Sequence, residues 1–243
     1  MSAGIYPSSV PLGGWTVPRA VFKRLQTVSG PAALPLDLAV LKAHLRVTHA
    51  TEDSYLSTLI EAATEMVENY LSRRLIQRTV RMWLDCIPGT GNDFTSWGAG
   101  VTQAPVAYAN MGQFRWFDLL GLPVTAFASV TSIADDGSES VMDTGLYLID
   151  REDPDQPARV ILQRGATWPT TLRVAKSIRA DYTLGYGAAA SAVPASLRHG
   201  VMLIAAALWS NRGDNADAQP DVLALPSIRA ALDPYRILRV STL

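Results

Sequence analysis

Few side chains in this sequence are spaced for covalent chemistry. The three histidines, His44, His49 and His199, show no HExxH or other metal-binding spacing. His44 and His49 flank a turn and read as surface or helix-end residues. Cys86 is the only cysteine, so neither an intrachain disulfide nor a Cys-based zinc site can form. There is no GxSxG elbow, P-loop or GxGxxG, and Gly98-Ala99-Gly100 has no helix after it to complete a phosphate cradle. Asp135-Asp136-Gly137 is a turn signal, because the other ligand positions of a calcium loop are missing. A Ser-His-Asp triad assembles from distant positions and leaves no local trace. The expectation is a protein without enzymatic activity, cofactor or metal. The chemistry that remains is ionic. Arg73, Arg74, Arg78 and Arg81 cluster where a long helix should meet a strand. The favoured reading makes them surface charges, the first two complementing a helix C-terminus; the other is contact with nucleic-acid phosphates.

Composition narrows the classes further. With 48% hydrophobic and 18% charged residues, the 243-residue chain describes an ordered globular protein with apolar surface to spare for other subunits. A net charge of -1 gives no global electrostatic case for nucleic acid or an anionic membrane as main partner. The start, MSAGIYPSSVPLGGW, lacks the basic and apolar regions of a signal peptide. The longest apolar run, 201–209, falls well short of the roughly 20 residues that span a bilayer. A soluble, cytoplasmically made protein is expected.

The elements that must position these residues follow from periodicity. Residues 1–33 are rich in Pro and Gly, basic without an acid, and cannot sustain a helix. They read either as a disordered tail or as an extended arm ordered against a neighbouring subunit, with Tyr6, Trp15 and Phe22 among the anchors. Asp37 caps a first helix (37–46) with Leu38, Leu41 and Leu45 on one stripe. Thr51 caps a second (52–74), whose apolar face runs through Leu56, Leu59, Ile60, Ala63, Val67, Tyr70 and Leu71, with Glu61, Glu65 and Glu68 off it. A β-rich insertion (77–183) begins with an alternating run, 77–85, that turns Val80, Met82 and Leu84 to one side. After a long polar loop, 88–112, come strand-like runs at 124–134, 146–149, 159–162 and 177–182. No crossover helices separate them, so the unit is antiparallel. Pro194 opens a third helix (195–212) at its first position, and Ser227 caps a last one (227–233) that Pro234 stops. Residues 235–243 form a tail in which Tyr235, Arg236, Ile237, Leu238, Arg239 and Val240 alternate apolar with basic. That suits a strand or hook inserted into another protein.

The wording KAHLRV, a polar turn, an acidic helix start and EAATEMVENYLSRRLI resembles the opening of the phage head–tail connector (adaptor) family. The likeness extends in order through Pro123-Val124 with Asp136-Gly137, Trp168-Pro169, Gly185-Tyr186-Gly187, Pro194-Ala195-Ser196-Leu197-Arg198 and Leu232-Asp233-Pro234-Tyr235-Arg236. Each motif is weak alone; their ordered combination over residues 34–236 is what carries the resemblance. The first 33 residues and the 88–112 loop are longer than the family pattern.

The resemblance implies an α+β, mainly α fold: a helical bundle (34–234) with an inserted antiparallel β unit and extended N- and C-terminal arms. It implies a structural virion protein of tailed phages or gene transfer agents, assembled in the host cytoplasm and placed at the head–tail interface. Its partners would be its own copies in a ring, a dodecamer by portal symmetry, the portal protein, and a stopper or tail-completion protein. DNA would pass non-specifically through the ring, where the arginine cluster could meet it, and no membrane is involved. Alternatives are a packaging accessory that binds DNA directly and, less favoured, an uncharacterised hydrolase.

Overall fold

The computed structural model describes residues 23–85, 116–169, 172–173, 175–211 and 222–236. Strand β1 (Lys23–Ser29) precedes helices α1 (Leu38–Leu45) and α2 (Asp53–Leu71). Seven strands follow: β2 (Arg78–Leu84), β3 (Trp116–Asp118), β4 (Val124–Ile133), β5 (Glu139–Val141), β6 (Tyr147–Asp150), β7 (Arg159–Leu162) and β8 (Ile178–Leu184). Helices α3 (Ala195–Ser210) and α4 (Pro226–Leu232) close the fold, and a single 3-10 turn, Asp233–Tyr235, follows α4.

The strands form two antiparallel sheets, ordered β1-β2-β8-β4-β5 and β3-β7-β6. Alternation decides how they stack. Val80, Met82 and Leu84 of β2, with Ala180, Tyr182 and Leu184 of β8, point to one side and are buried against Phe117, Tyr147, Val160 and Leu162 of the small sheet. Arg81, Trp83, Arg179 and Asp181 therefore stand on the opposite, outer face. The Tyr182 hydroxyl ends in this core, donating to the Leu120 carbonyl at 2.6 Å, and burial raises its pKa.

A second core belongs to the helices. Leu56, Ile60, Ala63, Val67 and Leu71 of α2 meet Leu197, Val201 and Ile204 of α3 and Ile228 and Leu232 of α4. Glu61 and Glu65 are exposed, as the stripe requires. The α+β expectation holds. The balance differs from a mainly helical bundle, because eight strands in two sheets build a core as large as that of the four helices. Three strands escape the sequence pattern. β1 lies in the Pro/Gly-rich arm as a mostly exposed edge, and β3 and β5 are three residues each.

Local chemistry at the helix ends corrects several expectations. Asp37 does cap α1, accepting from the Ala39 N–H at 3.1 Å. Thr51 does not cap α2; its hydroxyl is 2.8 Å from His49 Nδ1, and the cap position falls to Glu52 without a side-chain bond. Asp53 instead binds Lys42 Nζ at 2.5 Å, tying α2 to α1. Ser72 ends α2 in the left-handed conformation, φ 55, so Arg73 and Arg74 lie beyond the helix and not in its last turn. Pro194 precedes α3 as its cap, and Pro226, not Ser227, opens α4.

The two cores are joined where β2 leaves α2 and β8 approaches α3. The Arg74 N–H donates to the Leu122 carbonyl, Tyr186 N–H to Leu75 and Gln77 N–H to Gly187. Gly185 sits at this seam with φ 112, and a Cβ there would come within 2.6 Å of Gln77 N and the Ile76 carbonyl group. All three atoms are backbone and cannot rotate away. Gly185→Ala is expected to cost about 2–6 kcal/mol, from left-handed strain plus overpacking. Denaturant titration checks it; a loss near zero would mean that the turn can rearrange.

Candidate assembly surfaces and the ionic hub beneath them

Glu68 faces the rim of the helical core, where the sequence reading had placed it on the free side of α2. It is only 4% exposed. Its carboxylate takes Arg74 Nη1 at 3.0 Å, Arg78 Nη2 at 2.7 Å and the Leu75 N–H at 2.9 Å. A carboxylate this buried is stable only with such partners, so the cluster is a structural clamp on the α2–β2 connection.

Arg73 is 2% exposed and reaches the other way. Nε donates to the Tyr235 carbonyl at 2.7 Å, Nη1 to the Pro154 carbonyl at 3.1 Å and the Tyr186 hydroxyl at 3.4 Å, and Nη2 to Asp155 Oδ1 at 2.7 Å. Burial raises the Tyr186 pKa, with Arg73 opposing it. Arg81 stands apart on the outer sheet face and pairs with Asp181 at 2.7 Å. The four arginines thus do not make a free basic patch. Three converge on the end of α2, all four have carboxylate partners within the chain, and Arg73 is not on the surface at all.

The same geometry anchors the end of the described chain. Ser196 donates to the Tyr235 hydroxyl at 3.1 Å, Tyr70 donates to Asp233 Oδ1 at 2.6 Å, and the Arg236 guanidinium lies 4.9 Å from the Tyr70 ring centre. The hydrogen bond to Asp233 raises the Tyr70 pKa. Tyr235 and Arg236, expected to begin a docking tail, are packed onto the fold. Ile237, Leu238, Arg239 and Val240 lie outside the described residues, as do Tyr6, Trp15 and Phe22 of the arm and the 88–112 loop. Motifs far apart in sequence (the Gly-Tyr-Gly turn, the start of α3, the closing Pro-Tyr-Arg) therefore meet around Arg73. No local signal marks Arg73 as a hub, because its partners come from distant elements; Glu68 takes its own from the next ten residues, which only the bend after α2 folds back onto it.

His44, His49 and His199 are all exposed, and among the described residues no group of three or more His, Cys, Asp and Glu side chains could hold a metal ion. Among those residues no helix is long and apolar enough to cross a membrane. Exposed apolar side chains include Val141 at 65%, Leu148 at 59% and Leu146. Val141 and Leu146 line a surface hollow of about 370 Å³ with Met142 and Trp168.

Residues 35–93 match the family described as Phage gp6-like head-tail connector protein. No curated protein matches the chain. Among solved structures, a chain in the neck of an empty gene transfer agent (GTA) particle, computed with C6 symmetry, is similar at 22% identity and TM-score 0.68. A chain of the native GTA virion is similar at 22% identity and TM-score 0.64. One in the native GTA neck, computed with C12 symmetry, is similar at 23% and 0.62. Each likeness covers 90% of this chain and 98% of the other. The resemblance carried by the sequence motifs is borne out to this extent: residues 35–93 match the phage gp6-like head-tail connector family, and the fold is shared with GTA neck chains.

Proposed function

We propose that this protein is a structural head–tail connector whose copies form a ring below the portal of a phage-like particle, extending the DNA channel and joining head to tail. The observation that carries the reading is the likeness over nine-tenths of the chain to neck chains of GTA particles, together with the connector-family match at 35–93. The neighbours' particles were computed with C6 and C12 symmetry, which supports a homo-oligomeric ring; a dodecamer is the form that matches portal symmetry. The ring is heterologous, one face of each copy meeting a different face of the next. Portal protein on one side and a stopper or tail-completion protein on the other are the partners, with the arm around Tyr6, Trp15 and Phe22 and the segment 237–243 as docking elements.

Direct DNA binding is disfavoured by the internal pairing of Arg73, Arg74, Arg78 and Arg81. No enzymatic role is proposed. Cryo-electron microscopy of particles tests the reading. The expected result is a closed ring of this chain between head and tail; one or two copies, or a place in the capsid shell, refutes it.

A further inference from the structure

The outer face of the large sheet carries a feature the connector reading does not use. Trp83 is half-buried, and four cations lie around its ring: Arg179 at 5.8 Å from the centroid, Arg81 at 5.9 Å, Arg173 at 6.0 Å and Lys176 at 6.0 Å. At these distances a cation is attracted by the ring quadrupole, so the group is cohesive. Two of the four are neutralised. Asp181 lies 2.7 Å from Arg81 and 3.3 Å from Arg179, and Glu139 lies 2.8 Å from Arg179. Arg173 and Lys176 make no ion pair among the described residues. They are nevertheless held in place. Arg173 donates to the Lys176 carbonyl at 2.9 and 2.7 Å, and Asp85 accepts the Lys176 N–H at 2.9 Å. Lys176 is fixed with φ 53, a conformation a lysine adopts only when its surroundings impose it.

The complementary chemistry lies elsewhere on the same chain. The end of β6 and the turn that follows it carry Asp150, Glu152, Asp153 and Asp155, with Arg151 among them donating to the Thr125 carbonyl. Asp150 pairs with Arg159 at 3.7 Å and Asp155 with Arg73. Glu152 and Asp153 make no ion pair among the described residues; the Asp153 carboxylate accepts only the Asp155 N–H, at 2.8 Å. Glu152 and Asp153 thus outnumber Arg151 among the unpaired charges of the turn, and two unneutralised cations stand beside Trp83. They cannot meet within one chain. The turn belongs to the small sheet, which covers the inner face of the large sheet, and Trp83 stands on the outer face. Two different surfaces of one chain, complementary to each other and kept apart within it, are what a head-to-tail contact requires.

We propose that the Trp83 face of one copy receives the acidic 150–156 turn of the next, with Arg173 and Lys176 meeting Glu152 and Asp153. The contact rests on the ring reading and gives the ring its direction. DNA is the weaker occupant, since two free cations are too few to track a phosphate backbone, while the turn offers them two unpaired carboxylates, Glu152 and Asp153.

A charge exchange between two variants tests the pairing. Lys176 and Glu152 are exposed, so both variants should fold, Glu152→Lys with a wild-type melting curve and Lys176→Glu with one lowered slightly by the loss of its contact with Trp83. In either variant alone every subunit contact sets like charges against each other. Ring yield, read by native mass spectrometry or by copy number in particles, should fall roughly tenfold or more. An equimolar mixture, or co-expression of the two, should return near-wild-type yield. In an alternating ring one contact sets the introduced glutamate against the introduced lysine, and the next carries the native pair. Rings formed normally by either variant alone overturn the pairing, as does a mixture that stays defective. Salt-sensitive binding to duplex DNA that Lys176→Glu abolishes, with ring yield intact, would assign the face to DNA instead. A wild-type chain absent as a ring from particles sinks the connector reading itself, a different result from any of these.

Discussion

Glu68→Ala should destabilise the fold by about 3–5 kcal/mol, among the largest losses any single substitution here can cause. The side chain is buried and makes three hydrogen bonds, two of them to guanidinium groups. Its removal leaves the buried Leu75 N–H and the Arg78 guanidinium without their acceptor. Arg78 has little slack, because its Nε already lacks a hydrogen-bond partner. The penalty comes from stranding these groups and not from the attraction alone, so the double change Glu68→Leu with Arg78→Met should cost less than the two single losses added. Urea titration of the single and double variants measures both numbers. A loss below about 1 kcal/mol for Glu68→Ala would mean that water reaches the cluster and replaces the carboxylate.

Deleting residues 237–243 should leave the fold intact and abolish the joining of heads to tails. The described fold makes its last contacts through Tyr235 and Arg236, held by Arg73, Ser196 and Tyr70, so a chain ending at Arg236 keeps them. Ile237, Leu238 and Val240 are apolar residues beyond that anchor, and Arg239 can add charge-assisted hydrogen bonds to a partner's acceptors. Removing them should produce folded, soluble protein and particles that stop at heads without tails, counted by electron microscopy and by loss of transduction or infectivity. Deleting from residue 235 should do more, because it also empties the Arg73 site and loosens the 154–155 turn. Complete, active particles at normal yield from the shorter deletion would remove this segment from any docking role.

Much of the local structure was legible because its cause is local. Periodicity placed α2 within a few residues, its buried side at Leu56, Leu59, Ile60, Ala63 and Val67, and its exposed Glu61 and Glu65. Alternation placed β2 and its inward Val80, Met82 and Leu84, and Arg159–Leu162 matches its strand to the residue. The family resemblance was legible too, since it lies in ordered motifs. Helix starts were less so. Asp37 could be read, but Thr51 and Ser227 could not, because a hydroxyl near a helix start has competing partners and a proline can take the first position.

Legible in one dimension, then, were the helices, five of the eight described strands and their inward faces. The division into two sheets with a separate helical core, and the choice of which charges are neutralised inside, arise from contacts between distant elements. Glu68 looked like a solvated helix residue, and Arg73, Arg74, Arg78 and Arg81 like a basic patch. Their partners come from a helix end, a β turn, a neighbouring strand and the closing segment, up to 162 residues away. Apolar stripes repeat at the period of the element that carries them, so they survive in a one-dimensional reading. An ion pair has no period, and whether an arginine is free or neutralised is settled only when the fold brings a carboxylate to it.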